Sequence, residues 1–218
     1  MQNFILIVVG VVAIRLLGVG MYRSFILQWK KKFALKRADE LKFLQVKIPQ
    51  KTSDMDQKND NTQNMKQNLE IMNQVLKNFY AVYSNKWKAN FLIQNYVSLE
   101  MLVEKEQIKF MIGVPKDFVA TIEKNISSFY PGAVIDYVDQ PKLLDAGKYV
   151  GGGTFTLSKK DVFPIKTYES FEADPMDSIL SAFSRVDNEE KLSLQILLAP
   201  VSEKEQEKMR KSIDDIKE

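Results

Sequence analysis

Phe4 to Ile14 is an unbroken apolar run, and Leu16 to Tyr22 continues it after a single Arg15. Trp29 then stands before Lys30, Lys31 and Lys32, with Lys36 and Arg37 close behind. An apolar stretch of bilayer length, an interfacial aromatic and a one-sided basic cluster predict a membrane-crossing helix over 1–29 and a basic juxtamembrane connector over 30–40. A central arginine costs about 2.5–3.5 kcal/mol on the insertion scale. The twelve Phe, Ile, Leu and Val of residues 4–22 offset it with about −4 to −7 kcal/mol together. Arg15 also lies off-centre, where it can snorkel toward the basic side or face a partner helix. The alternatives are an interfacial helix and a cleaved signal, but Met1-Gln2-Asn3 lacks the positive charge of a signal and no small-x-small site follows. The positive-inside rule then predicts a single-pass protein of the inner (cytoplasmic) membrane, N-terminus outside and residues 30–218 cytoplasmic.

Beyond the connector the periodicity changes. Leu44, Val46 and Ile48 alternate with Phe43, Gln45 and Lys47, as in a strand, and Pro49 stops it. Residues 50–64 hold one apolar side chain and read as a loop. Leu69, Met72, Leu76, Phe79 and Tyr83 recur at helical spacing. Leu99, Met101 and Val103 alternate with Ser98, Glu100 and Glu104, and Ile108, Phe110, Ile112 and Val114 with Lys109, Met111 and Gly113; Glu104-Lys105-Glu106 between them predicts a hairpin. Pro115 and Asp117 open a helix with Phe118, Ile122, Ile126 and Phe129 on one face, and Ala133, Ile135 and Tyr137 share a face of the next strand. Strand, helix, strand, strand, helix, strand over 41–138 is the order of a ferredoxin-like α+β unit, an antiparallel sheet with helices on one face.

A β-α-β extension is expected over 150–201, completing a domain of residues 41–201. Its first strand is Val150–Lys159 with Phe155 and Leu157 inward; a loop follows over 160–173. Asp174, Pro175 and Asp177 start a helix lined by Ile179, Leu180, Phe183 and Val186. Leu192, Leu194, Ile196 and Leu198 form the last strand. The extension either joins the first sheet or packs as a second unit. Ser202 and Glu205 make a capping box for a charged helical connector or tail over 202–218 that buries little.

Composition removes whole classes of chemistry. The chain has no Cys and no His, so disulfides, Cys/His zinc sites and Ser-His-Asp or Cys-His catalysis are excluded. Its net charge of +3 is too small to point to nucleic acid, and the basic cluster reads first as a contact with anionic lipid. Gly147 and Gly152 have P-loop spacing, but Gly153 and Thr154 stand where Lys and Ser or Thr are needed, so the run reads as a turn or bulge. The third strand lacks the aromatic pattern of an RNA-recognition module, and Phe110 reads as core. Asp136/Asp139 and Asp214/Asp215 read as solvated surface. Phe79, Tyr80, Tyr83, Trp87 and Phe91 read chiefly as a helix packing on the sheet, with Trp87 the candidate partner contact. The Pro-fixed, aromatic-rich stretch around Phe163, Tyr168 and Phe171 reads as a docked loop and a second candidate interface. No catalytic residue, metal or cofactor is expected.

A resemblance rests on the N-terminal span, "VPK" at 114–116, "YPGA" at 130–133, "FPIKTYESFEADPMDSILSAFS" at 163–184 and "LQILLAPVS" at 194–202. Over roughly residues 1–202 this order resembles the membrane-anchored N-terminal region of type IV secretion or conjugation-type DNA-translocating ATPases, in versions from candidate-phylum bacteria. In that family a P-loop motor follows. These 218 residues hold no Walker A lysine, so no ATPase residue carries over. The resemblance implies a non-enzymatic anchoring and assembly domain that contacts lipid and either its own copies or ATPase and channel subunits. The other readings are a stand-alone membrane-tethered interaction domain and a nucleic-acid-binding ferredoxin-like module.

Overall fold

In the computed structural model, which describes residues 2–49, 61–143, 149–159, 163 and 175–217, one long helix, α1 (Gln2–Asp39), opens the chain. Strand β1 (Leu41–Lys47), helices α2 (Asn61–Asn78) and α3 (Trp87–Phe91), the hairpin β2 (Val97–Glu104) and β3 (Gln107–Pro115), helix α4 (Val119–Phe129) and β4 (Val134–Val138) follow. Helix α5 (Pro175–Phe183), strand β5 (Lys191–Leu198) and helix α6 (Glu203–Lys217) complete the described elements. The chain divides into two compact units, Met1–Glu40 with Ser84–Asn95, and Leu41–Tyr83 with Tyr96–Glu218.

The second unit is α+β. Its five strands stand in the order β4-β1-β3-β2-β5, every neighbouring pair antiparallel. The first four have the order that the strand-helix-strand-strand-helix-strand pattern predicts. Strand β5 joins this same sheet by pairing with β2, Val97 opposite Leu198, which settles the alternative left by the sequence. The hairpin turns through Lys105 and Glu106, both at positive φ (52° and 60°), the backbone of the two-residue turn that matches strand twist.

Apolar alternation places two clusters on the helix-bearing face. Leu44, Val97 and Val114 meet Val75, Phe79 and Val82 of α2 and its final turn, and Ile122 and Ile126 of α4. Further along, Met101 and Val103 meet Phe183 of α5, with Met176, Ile179 and Val186 around it. The opposite face is not simply solvated: Leu41, Phe43, Leu102 and Met111 are buried there with Tyr96 and Val138 against them. Thus β1 and β2 carry buried residues on both faces, where clean alternation was expected.

Several expectations are corrected. Residues 149–157 form no strand, and Phe155 and Leu157 are exposed rather than inward. Both ladders of β2 are already taken by β3 and β5, and Gly151–Gly153 weaken any strand of their own. Phe110 is half exposed, not core; it shares the helix-bearing face with Met101 opposite it, but is not among the residues packed into the clusters there. Val75 is buried on α2 and Met72 is exposed; beyond Phe79 the buried position falls on Val82 rather than Tyr83, because a 3-10 turn over Phe79–Val82 overwinds the helix end. The loop expected over 50–64 yields to helix from Asn61. The capping box forms as expected: Ser202 N donates to Glu205 Oε2 at 3.1 Å, and Glu205 N donates to Ser202 Oγ at 3.3 Å.

Among the described residues, no helix is long and apolar enough to cross a membrane. The side chains of residues 2–14, Leu16 and Leu17, on which the expected span rests, lie outside the described set.

Candidate functional site

A spacing of four along α1 puts Phe25, Trp29, Phe33 and Arg37 on one side of the helix. Phe25 and Trp29 lie with ring centroids 6.3 Å apart, and the Arg37 guanidinium sits 5.2 Å from the centre of the Phe33 ring. The same unit contains Ser84–Asn95. That segment closes on itself through Gln94, whose side chain accepts from Ser84 N at 2.9 Å and donates to Ser84 O at 3.0 Å. Within it, α3 places Trp87 6.5 Å from Trp29, ring to ring. Lys30 Nζ stands 5.8 Å from the Phe91 ring, Lys88 Nζ stands 5.6 Å from that of Trp87, and Arg37 donates to Asn95 Oδ1.

The result is an aromatic and cationic cluster, still open to solvent: Trp87 is 61% exposed, Phe91 45% and Trp29 39%. Of the predicted residues, the structure brings Trp29, Lys30, Arg37 and Trp87 together. Arg15, Lys31, Lys32 and Lys36 are exposed on α1, with Lys36 3.8 Å from Glu40. The aromatics read as one group separate: Phe79 is buried and Tyr80 stacks on Tyr83 at 5.4 Å in the second unit, while Trp87 and Phe91 belong to the first. Phe25, Phe33, Lys88 and Asn95 were missed, since only the helical spacing of the first two is visible in sequence.

The second candidate interface is described only at Phe163, which is exposed with Lys159 Nζ 5.5 Å from its ring. Tyr168 and Phe171 lie outside the described residues.

Polar side chains on the sheet are occupied with one another. Glu100, buried, accepts from Ser98 Oγ and from Gln195 Nε2, each at 2.6 Å. Glu104 accepts from Lys109 Nζ at 3.0 Å and lies 3.4 Å from Lys191 Nζ. The Lys109 bond holds its carboxyl below the ordinary carboxylate range against a desolvation that pushes the other way, and Lys191 adds to the lowering. On α4, Glu123 accepts from the Tyr137 hydroxyl at 2.5 Å and raises that phenol, while burial raises Tyr130. Among the described residues no group of three or more Asp or Glu is placed to hold a metal ion.

No curated protein and no solved structure matches the chain. Over residues 37–218, most of its length, the chain belongs to the family described as Domain of unknown function (DUF8128).

Proposed function

We propose that the protein is a non-enzymatic, membrane-anchored assembly domain. Helix α1 would cross the inner membrane once, and the α+β unit would stand on the cytoplasmic side. The observation that carries this is the surface of α1 itself. Val19, Met21, Tyr22, Phe25 and Leu27 point around the helix, yet all are more than half exposed. Exposed apolar groups on several sides of a helix call for a bilayer or a core around them; the apolar run of the sequence leads into this stretch from residue 4, and Arg23 and Ser24 are its polar positions.

Assembly is supported by the segment after β4. Tyr149, Val150, Phe155 and Leu157 are exposed together, a concentration of apolar groups of the kind that marks interaction surfaces. The resemblance to the anchored region of type IV secretion ATPases supplies the class of partner: its own copies, or motor and channel subunits.

Two experiments test the two halves. The full chain should stay in the membrane pellet through alkaline carbonate; release into the supernatant would overturn the anchor. A photo-crosslinking residue replacing Phe155 in cells should yield an adduct with a translocation ATPase, a channel subunit or a second copy. Absence of any adduct would remove the assembly role.

A further inference from the structure

The charge of the chain is segregated. The unit of Met1–Glu40 and Ser84–Asn95 holds nine Lys and Arg against Asp39 and Glu40 alone, a net +7. The rest, with 22 basic and 26 acidic residues, is net −4. Residues 84–95 contribute Lys86 and Lys88 and no acid to the basic unit. In the same segment Ala89 and Leu92 are buried while Trp87 and Phe91 are turned outward, so the outward side of this short helix is aromatic and cationic together.

We propose that Ser84–Asn95 is a second membrane contact, resting in the headgroup layer of an anionic bilayer beside α1. This rests on the reading of α1 as a membrane anchor. Trp29 directly precedes three lysines, the position of an interfacial aromatic belt and of cations drawn to acidic lipid. Trp87 lies 6.5 Å from it and Phe91 is within reach of Lys30, so the segment is held at the same depth. Tryptophan suits this layer because its ring buries in the acyl boundary while its N–H stays wet. Lysines buried along their stems keep their ammonium groups among phosphates. A protein partner would have to match a patch without a single carboxylate; an anionic lipid surface does so by composition. The contact would fix the rotation of α1 in the bilayer, which a single helix leaves open.

The chain has two tryptophans, and both lie in this cluster. The full chain, as Trp29→Phe and as Trp87→Phe, is reconstituted into phosphatidylcholine vesicles with and without phosphatidylglycerol. Quenching by lipids brominated near the headgroup end of the chain is compared with quenching by acrylamide. The expected result is lipid quenching of Trp87 as strong as that of Trp29, greater with phosphatidylglycerol, with that increment lost in Lys86→Gln/Lys88→Gln. A spin label on Lys88→Cys, the only thiol of such a chain, reads the same depth with both tryptophans intact. Lipid quenching of Trp29 with Trp87 reached only by acrylamide, and a label at aqueous depth, would overturn the inference and leave the anchor standing. Quenching of neither tryptophan by lipid, with carbonate release, would overturn the anchor itself.

Discussion

Gly113 sits at the centre of the sheet, paired with Phe43 on one side and Ser98 on the other. A β-carbon there would lie 3.1 Å from Phe43 Cε1, 3.1 Å from Ser98 Cβ and 3.4 Å from Leu41 Cδ1. Two effects favour Gly113→Ala. Relief of the entropy cost of a strand glycine is worth about 0.5–1 kcal/mol, and burial of one methyl about 0.8 kcal/mol. Against them stands the space, since carbon pairs are comfortable at about 3.5–4.0 Å. The Ser98 β-carbon is attached to a backbone held by ladders to both β3 and β5, and Phe43 and Ser98 are both buried. Neither neighbour can retreat, which places the substitution in the upper part of the overpacking range of about 1–3 kcal/mol.

Overpacking therefore wins, and Gly113→Ala should destabilise the α+β unit by about 1 kcal/mol. Both tryptophans lie in the other unit, so urea unfolding of the full chain in micelles is followed by far-ultraviolet circular dichroism rather than tryptophan emission. Gly151→Ala is the control, because nothing lies within 4 Å of its added carbon, and it should be close to neutral. Phe43→Leu made together with Gly113→Ala should recover part of the loss, giving a coupling energy between contacting residues. A Gly113→Ala chain as stable as the parent, with an unchanged denaturant slope, would refute the packing argument.

Glu104→Gln should lower stability at neutral pH by about 0.5–1 kcal/mol, since its lysine partners are partly solvated and screened. Because the folded carboxyl is held low, its contribution is present above about pH 4.3 and fades as pH falls through the folded value. Acid titrations of the parent and Glu104→Gln should therefore converge below that point, and curves that stay parallel would exclude the role. Lys105→Asn should stabilise the hairpin by about 1 kcal/mol, because asparagine tolerates the left-handed backbone that lysine adopts at a cost; a lower urea midpoint would contradict the turn geometry. Glu100→Ala should cost about 2 kcal/mol, because it removes the buried acceptor shared by Ser98 and Gln195 and leaves the buried Ser98 hydroxyl without it. A loss below a few tenths would mean that the two donors find other acceptors.

What could be read in advance was local. The hairpin, the capping box and the stripe through Ile122 and Ile126 depend on residues three or four positions apart, or on a turn of two. The placement of β5 beside β2 depends on pairings such as Glu100 with Gln195, far apart in sequence, and no periodicity encodes it. Glu100 looked like the outward partner of Leu99 and Met101, and only the ladders on both sides of β2 bury it. Residues 84–95 carry too few apolar positions to announce their company with α1. Phe110 failed for a related reason: alternation tells which face a side chain takes, but not how far the helices reach along it.

The same segregation of charge weighs between the functional readings. Neutralising phosphates is the main source of nucleic-acid affinity, and it needs an excess of cations on the binding surface. The α+β unit has a net charge of −4, and two of its sheet lysines are spent on Glu104. Its exposed strand aromatics among the described residues, Phe110 and Tyr137, both lie on the face that carries the helices, and Tyr137 is bonded to Glu123 of α4. A salt-sensitive affinity for DNA would thus trace to the basic unit, whose cations a membrane would already engage, and should vanish when anionic vesicles are added. If α1 anchors the chain as proposed, an anionic bilayer would attract Lys30–Lys32 and repel the acidic unit. That attraction and repulsion would act over a Debye length of about 8–10 Å, so the proposed anchor would engage the basic unit and leave the α+β unit accessible to proteins.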